Sequence, residues 1–152
     1  MNMILGILTD AFFITLLLWC SCTDIRKRNV SNMTVILLLC FGIVHTVIIA
    51  LSGILWWTYP AGMILAVPFF LAWLRGHMGA GDVKLILAIG LYLGLFNTMI
   101  AFVLMVPLLA ILMIRSQIKT KTLKGAIPLA PVLAFGAIGA VVLGYLYVLF
   151  QF

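Results

Sequence analysis

A chain of 152 residues that is 66% hydrophobic and only 8% charged, with a mean hydropathy of +1.36, excludes a water-soluble domain, because too little polar surface remains to keep it dispersed. The net charge of +6 would raise the question of nucleic acid in a soluble protein. Here the basic residues lie in short segments between apolar runs, so they read as topology signals and contacts for anionic membrane lipid, and no nucleic-acid partner is expected. Backbone groups in hydrocarbon must be satisfied by helices or closed barrels, and these runs are too long and too unalternating for barrel strands, which leaves an all-α membrane protein.

Apolar runs fall at about 3–22, 33–51, 57–74, 83–96, 97–114 and 127–150, which predicts a bundle of about six transmembrane helices in one integral-membrane domain over 1–152, with no room for a second soluble domain. The first run has no basic segment before it and no small-residue cleavage signature after it, so it reads as a retained span. Asp10 lies in its outer half with no motif around it, and is expected to be structural, paired with a polar group or close to the interface. Cys20, Cys22 and Cys40 have no nearby histidine partners and make neither a zinc set nor an even disulfide framework, so they are expected to be buried small hydrophobes. In the second run, the lone His45 reads as a packed neutral side chain with a hydrogen bond.

Trp56, Trp57 and Tyr59 cluster at the second outer turn, and Tyr145 and Tyr147 lie near the outer end of the last run; all five read as anchors at headgroup depth. Nothing charged separates the fourth run from the fifth near Gly94-Leu-Phe-Asn97, but charge parity sets the boundary. With six crossings, 24–32, 75–84 and 115–124 emerge on one side, and they hold all nine Lys and Arg residues. Merging the two runs would throw Arg115 to Lys124 to the other face, against the positive-inside tendency. The expected topology therefore has both termini on the non-cytoplasmic side. Gly90 with Gly94, and Gly136 with Ala140 and Gly144, have the spacing that lets helices approach closely. Pro128 and Pro131 open the last helix, where a missing N–H costs little. The cluster from Arg115 to Lys124 reads as a solvated loop by default, and His77 as an interfacial bystander.

Asp24 closes the first run and Asp82 opens the fourth, directly after Gly79-Ala80-Gly81. Each alone is more often a helix cap or an interfacial charge than a catalyst. The topology, however, puts both at the cytoplasmic surface. Two carboxylates at the edge of a low-dielectric bundle are expected to share one proton, which is the condition of an aspartic protease. The ionised member draws a proton from water, the protonated member donates to the scissile carbonyl, and the roles then reverse for the leaving amine. Such chemistry needs no metal or cofactor. Glycines beside the carboxylate let an extended substrate backbone approach it.

Gly79-Ala80-Gly81-Asp82-Val83-Lys84 resembles the G-x-G-D motif of type IV prepilin peptidases, and Asp24-Ile25-Arg26-Lys27-Arg28-Asn29-Val30-Ser31-Asn32 resembles their first aspartate motif, D-x-R-x-x-x-I-P-N. Ile127-Pro128-Leu129-Ala130-Pro131-Val132-Leu133-Ala134-Phe135-Gly136 is similar to the proline-bearing segment that opens that family's last span. The resemblance implies a metal-independent aspartic endopeptidase of a prokaryotic inner membrane, with its active site facing the cytoplasm, that cuts the basic leader from prepilins or pseudopilins. It makes Asp24 and Asp82 the catalytic pair and lets Gly79 and Gly81 shape the approach to Asp82. Arg26, Asn32 and Lys84 are placed on the rim of a substrate-binding site. Partners implied are the prepilin or pseudopilin, membrane lipid, and components of a pilus or secretion assembly.

Ser31 stands where the pattern has proline, which is expected to relax the turn and leave Asp24 in register. The extra N-terminal region with paired C-x-x-C motifs, linked to methylation in longer members, is absent from this sequence. The chain thus resembles the compact form found with Flp/Tad-type pili, for which no separate methyltransferase domain is expected. Two rival classes stand beside the peptidase. A small proton- or cation-coupled transporter subunit would explain intramembrane carboxylates but places its sites near the midplane. A non-catalytic secretion scaffold would use the GxGD stretch only as a helix start.

Overall fold

The computed structural model describes residues 3–27, 31–53, 55–76, 78–120 and 129–150. Among them all regular structure is helical: α1 (Met3–Lys27), α2 (Asn32–Leu51), α3 (Thr58–Gly62), a 3₁₀ turn (Met63–Ala66), α4 (Val67–Leu74), α5 (Ala80–Thr120) and α6 (Ala130–Phe150). Four helical stretches are long and apolar enough to cross a membrane: Leu5–Arg26, Asn32–Leu51, Ala80–Arg115 and Ala130–Phe150. The third apolar run is subdivided instead of continuous. Pro60 falls inside α3 and a second proline opens α4; neither has an N–H for the helical ladder, and the chain passes between them through the tighter turn.

α5 is interrupted at Gly94, whose φ of 76° and ψ of 176° are non-helical. A side chain at this φ would meet the steric penalty that confines the left-handed half of the map mainly to glycine. The direction of the chain on either side follows from its neighbours. Asp82 lies in the field of Asp24, and Asp24 bonds to Ala130. Tyr92, ten residues on, bonds instead to Asp10, and Asn97 lines the same cavity as Asp10 and Tyr145. Ala101 and Met105 then run back along α6 to Gly136. The 80–93 and 95–120 arms of α5 are thus oppositely directed, with the reversal at Gly94.

The first arm is the centre of the bundle. Val83, Leu85, Ile86, Ala88, Ile89, Leu91, Tyr92 and Leu93 are all buried, as expected for a helix that is apolar on every face and surrounded by others. Phe13 and Leu17 of α1, Val35 and Leu38 of α2, and Val132 and Leu133 of α6 close around it. The surrounding helices turn large apolar side chains outward, among them Leu8, Trp19, Leu51 and Val103, which is the surface expected against lipid.

α3 approaches the central arm backbone to backbone. A Cβ on Gly90 would lie 2.5 Å from the Gly62 carbonyl oxygen, so neither position has space for a side chain. Gly136 is pressed against Ala101 in the same way, whereas a Cβ on Gly144 would meet nothing within 4 Å. The small-residue reading thus holds for Gly90 and Gly136 and fails for Gly144, which borders a cavity. Cys20 is buried, but Cys22 and Cys40 are exposed on the outer faces of α1 and α2, contrary to the expectation for all three. Helical spacing explains this, since Cys22 is about 200° around α1 from Cys20.

Candidate active site

Asp24 occupies the last part of α1, yet it is only 6% exposed. Its Oδ2 accepts a hydrogen bond of 3.2 Å from the backbone N–H of Ala130, the first residue of α6. The first N–H groups of a helix have no partner within it, and the next residue, Pro131, has none to offer. The carboxylate of α1 thereby caps α6 from outside, where the positive end of the helix dipole favours an anion. One turn back, Ser21 Oγ donates to Leu17 O at 2.8 Å and lies 3.4 Å from Ala130 O. These contacts pin the end of α1 to the start of α6.

Asp82 stands in the first turn of α5 and is half-buried. It lies within electrostatic reach of Asp24, and both carboxylates act on the thiol of the fully buried Cys20. Cys20 is one helical turn before Asp24, so it shares the face of α1 that looks toward Asp82. A Cβ on Gly79 would come within 3.3 Å of Asp82 Oδ2, which keeps that side of the carboxylate open only while position 79 is glycine. Gly81 is partly buried in the same turn.

Of the remaining residues singled out in the sequence, Lys84 and Asn32 meet: Lys84 Nζ donates to Asn32 Oδ1 at 3.2 Å, tying the start of α5 to the start of α2 at the surface. Arg26 is exposed and lies about 200° around α1 from Asp24, so it is on a different face from the acid pair. Ser31 precedes α2 with φ −64° and ψ 122°. That is the φ a proline ring imposes, so serine here leaves the turn as proline would shape it. His77, Arg28, Asn29, Val30, Lys121, Lys124, Ile127 and Pro128 lie outside the described residues. No group of three or more His, Cys, Asp or Glu with metal-site geometry occurs among the described residues.

Sequence reasoning gave no site role to Ala130, Ser21 or Cys20. The first acts through its backbone and has no side-chain signature. The other two had one: they precede Asp24 by three and four positions, the spacing of neighbours on one helical face.

Asp10 is paired, as its position suggested, but its partners come from the far sequence. Tyr92 OH donates to Oδ1 at 2.7 Å and Tyr145 OH to Oδ2 at 2.5 Å. Tyr59 and Tyr145 both border an open cavity; Tyr145 is exposed, as are Trp56, Trp57 and Tyr147. His45 is packed as expected, stacked on Tyr92 with ring centroids 4.4 Å apart. Its Nδ1, however, is buried without the expected hydrogen bond.

A helical, membrane-type bundle that gathers two aspartates from separate helices at one end defines the class. The chain belongs to the type IV leader peptidase family, whose model matches residues 11–115. The matched stretch takes in Asp24, Asn32 and Gly79 through Lys84 and stops short of α6. Comparison with curated proteins and with solved structures returned no significant match.

Proposed function

We propose that this protein is an aspartic endopeptidase that removes the basic leader of type IV or Flp-type prepilins or pseudopilins at the cytoplasmic surface of a prokaryotic inner membrane, with Asp24 and Asp82 as its catalytic pair. The observation that carries the proposal is that Asp82, at the start of α5, lies within electrostatic reach of Asp24, at the end of α1. Family membership supports peptidase chemistry, and the apolar helices support a membrane setting. The alternation of chain direction supports six crossings, counting 58–74 and both arms of α5. The acid pair then falls on the side that carries the basic segments, with both termini opposite.

A prepilin has a basic leader followed by a long apolar helix, so its scissile bond sits at the depth of the pair. The substrate helix docks laterally against the bundle, and Gly79 and Gly81 let the extended backbone approach Asp82. Asp24, held by the Ala130 N–H, keeps its second oxygen for a water molecule. One carboxylate takes a proton from the water as its oxygen bonds to the scissile carbon, while the other gives a proton to the carbonyl oxygen. The tetrahedral diol then collapses: the C–N bond breaks, the amine receives a proton from one aspartic acid, and a diol hydroxyl returns its proton to the other. Asn32 and Lys84, joined by their hydrogen bond, form a rim at the start of α5, while Arg26 lies on another face of α1. A transporter would keep its carboxylates near the midplane, and this pair is at one end.

The test is cleavage of a purified prepilin in detergent by wild type, Asp24→Asn and Asp82→Asn. Each variant is expected to lose at least about 10³-fold in rate, in the range of general acid–base catalysis. Normal processing by either one would refute the assignment.

A further inference from the structure

About 14 residues before Asp24 on α1, roughly 21 Å along the helix axis, the opposite end of the bundle holds an open chamber in which polar side chains stand among apolar ones. Its volume is about 220 Å³, and its polar wall comes from Asp10, His45, Tyr59, Tyr92, Asn97 and Tyr145. Among the described residues, no Lys or Arg lines it. Asp10 is held by two phenols, Tyr92 and Tyr145, and an intramembrane carboxylate with only neutral partners is a strong acceptor for a cation. His45, 6% exposed, stands edge-on to Tyr59 at 5.4 Å and stacked on Tyr92 at 4.4 Å, and its Nδ1 is buried without a partner.

The chemistry of this wall selects its ligand. A primary ammonium carries three N–H donors, and the chamber is bordered by oxygen acceptors on Asp10, Asn97 and the tyrosines. Tyrosine rings around the carboxylate add cation–π attraction. A quaternary ammonium would lose the hydrogen bonds, and an anion would be repelled. Two apolar grooves continue from the chamber on either side of α6. One shares Asp10 and Tyr145 with it and is walled by Ile7, Ile14 and Val142; the other shares Asn97 and Gly144 and is walled by Ile100, Leu143 and Leu146. An open aromatic chamber with one carboxylate, flanked by hydrocarbon-lined grooves, fits an amphiphile.

We propose that this chamber binds the primary ammonium headgroup of an aminophospholipid of the phosphatidylethanolamine class, with its hydrocarbon against the grooves beside α6. Occupied, the site would link α1, α2, α5 and α6 at the end of the bundle away from the acid pair.

The experiment titrates the purified full chain with short-chain phosphatidylethanolamine, phosphatidylcholine and phosphatidylglycerol, with binding read by native mass spectrometry. The expected result is at least tenfold tighter binding of phosphatidylethanolamine than of the other two. Asp10→Asn should bring the three lipids within twofold. Circular dichroism and elution volume check the fold of each variant. Should Asp10→Asn fail to fold, Tyr145→Phe, which removes one donor and keeps the carboxylate, is expected to retain the preference, and the lipid series on wild type decides by itself. Equal affinity for the three lipids would overturn the proposal. So would a preference that survives in folded Asp10→Asn, or ethanolamine alone binding as tightly as the lipid.

Discussion

On the proposed assignment Asp24 carries two separable burdens, and two substitutions at this one position pull them apart. In Asp24→Asn the amide oxygen can replace Oδ2 as acceptor for the Ala130 N–H, which now sits 3.2 Å from the carboxylate, so α6 stays capped while the acid function is lost. In Asp24→Ala both are lost. The amide of Ala130, whose residue is fully buried, is then left without an acceptor, and an orphaned buried donor costs about 1–3 kcal/mol. Asp24→Ala is therefore expected to be about 2 kcal/mol less stable than Asp24→Asn. Both should cleave prepilin at least about 10³-fold more slowly than wild type, or roughly 4 kcal/mol in barrier height. The assay pairs leader cleavage on gels with denaturant unfolding followed by circular dichroism, each on all three proteins. Equal stability of the two variants would show that the Ala130 bond does not hold the site, and near-normal cleavage by Asp24→Asn would remove Asp24 from the chemistry.

Gly90→Ala is expected to lose about 1–3 kcal/mol, as overpacked sites do, because the new methyl would lie 2.5 Å from the Gly62 carbonyl oxygen; unchanged unfolding would mean that α3 does not approach so closely. Gly94→Ala should lose about 1–2 kcal/mol for placing a Cβ at positive φ, here 76° and 3.3 Å from Thr58 O, and the same unfolding measurement checks it. Ser31→Pro should retain cleavage and gain about 0.4–1 kcal/mol, because residue 31 already has the φ of proline, −64°. Loss of stability there would contradict that turn.

The sequence made legible what depends on composition and on side chains in local order. Long apolar runs announce helices because hydrocarbon admits little else. Asp24 and Asp82 stood out because acidic residues are scarce in this chain, numbering three, and each has glycine or arginine neighbours that match a known motif. What stayed hidden depends on distant pairing or on backbone. Nothing in the surroundings of Asp10, Tyr92 or Tyr145 announces that two tyrosines more than 80 residues away will share one carboxylate. Tyrosine at a span end fits an interfacial anchor equally well, and only the folded arrangement brings Tyr145 to Asp10. The division of the third run was in principle readable from Pro60 and Pro68. The faces of Cys22 and Cys40 were not, since an apolar helix in lipid has no amphipathic stripe to orient it.

The bond between Asp24 and Ala130 spans 106 positions of chain, and this order has a consequence for biosynthesis. A ribosome-bound chain that has delivered both aspartates to the bilayer still lacks the amide that fixes the first of them. The contact forms only when α6 docks, so Asp24 enters the bilayer well before the amide that holds it exists.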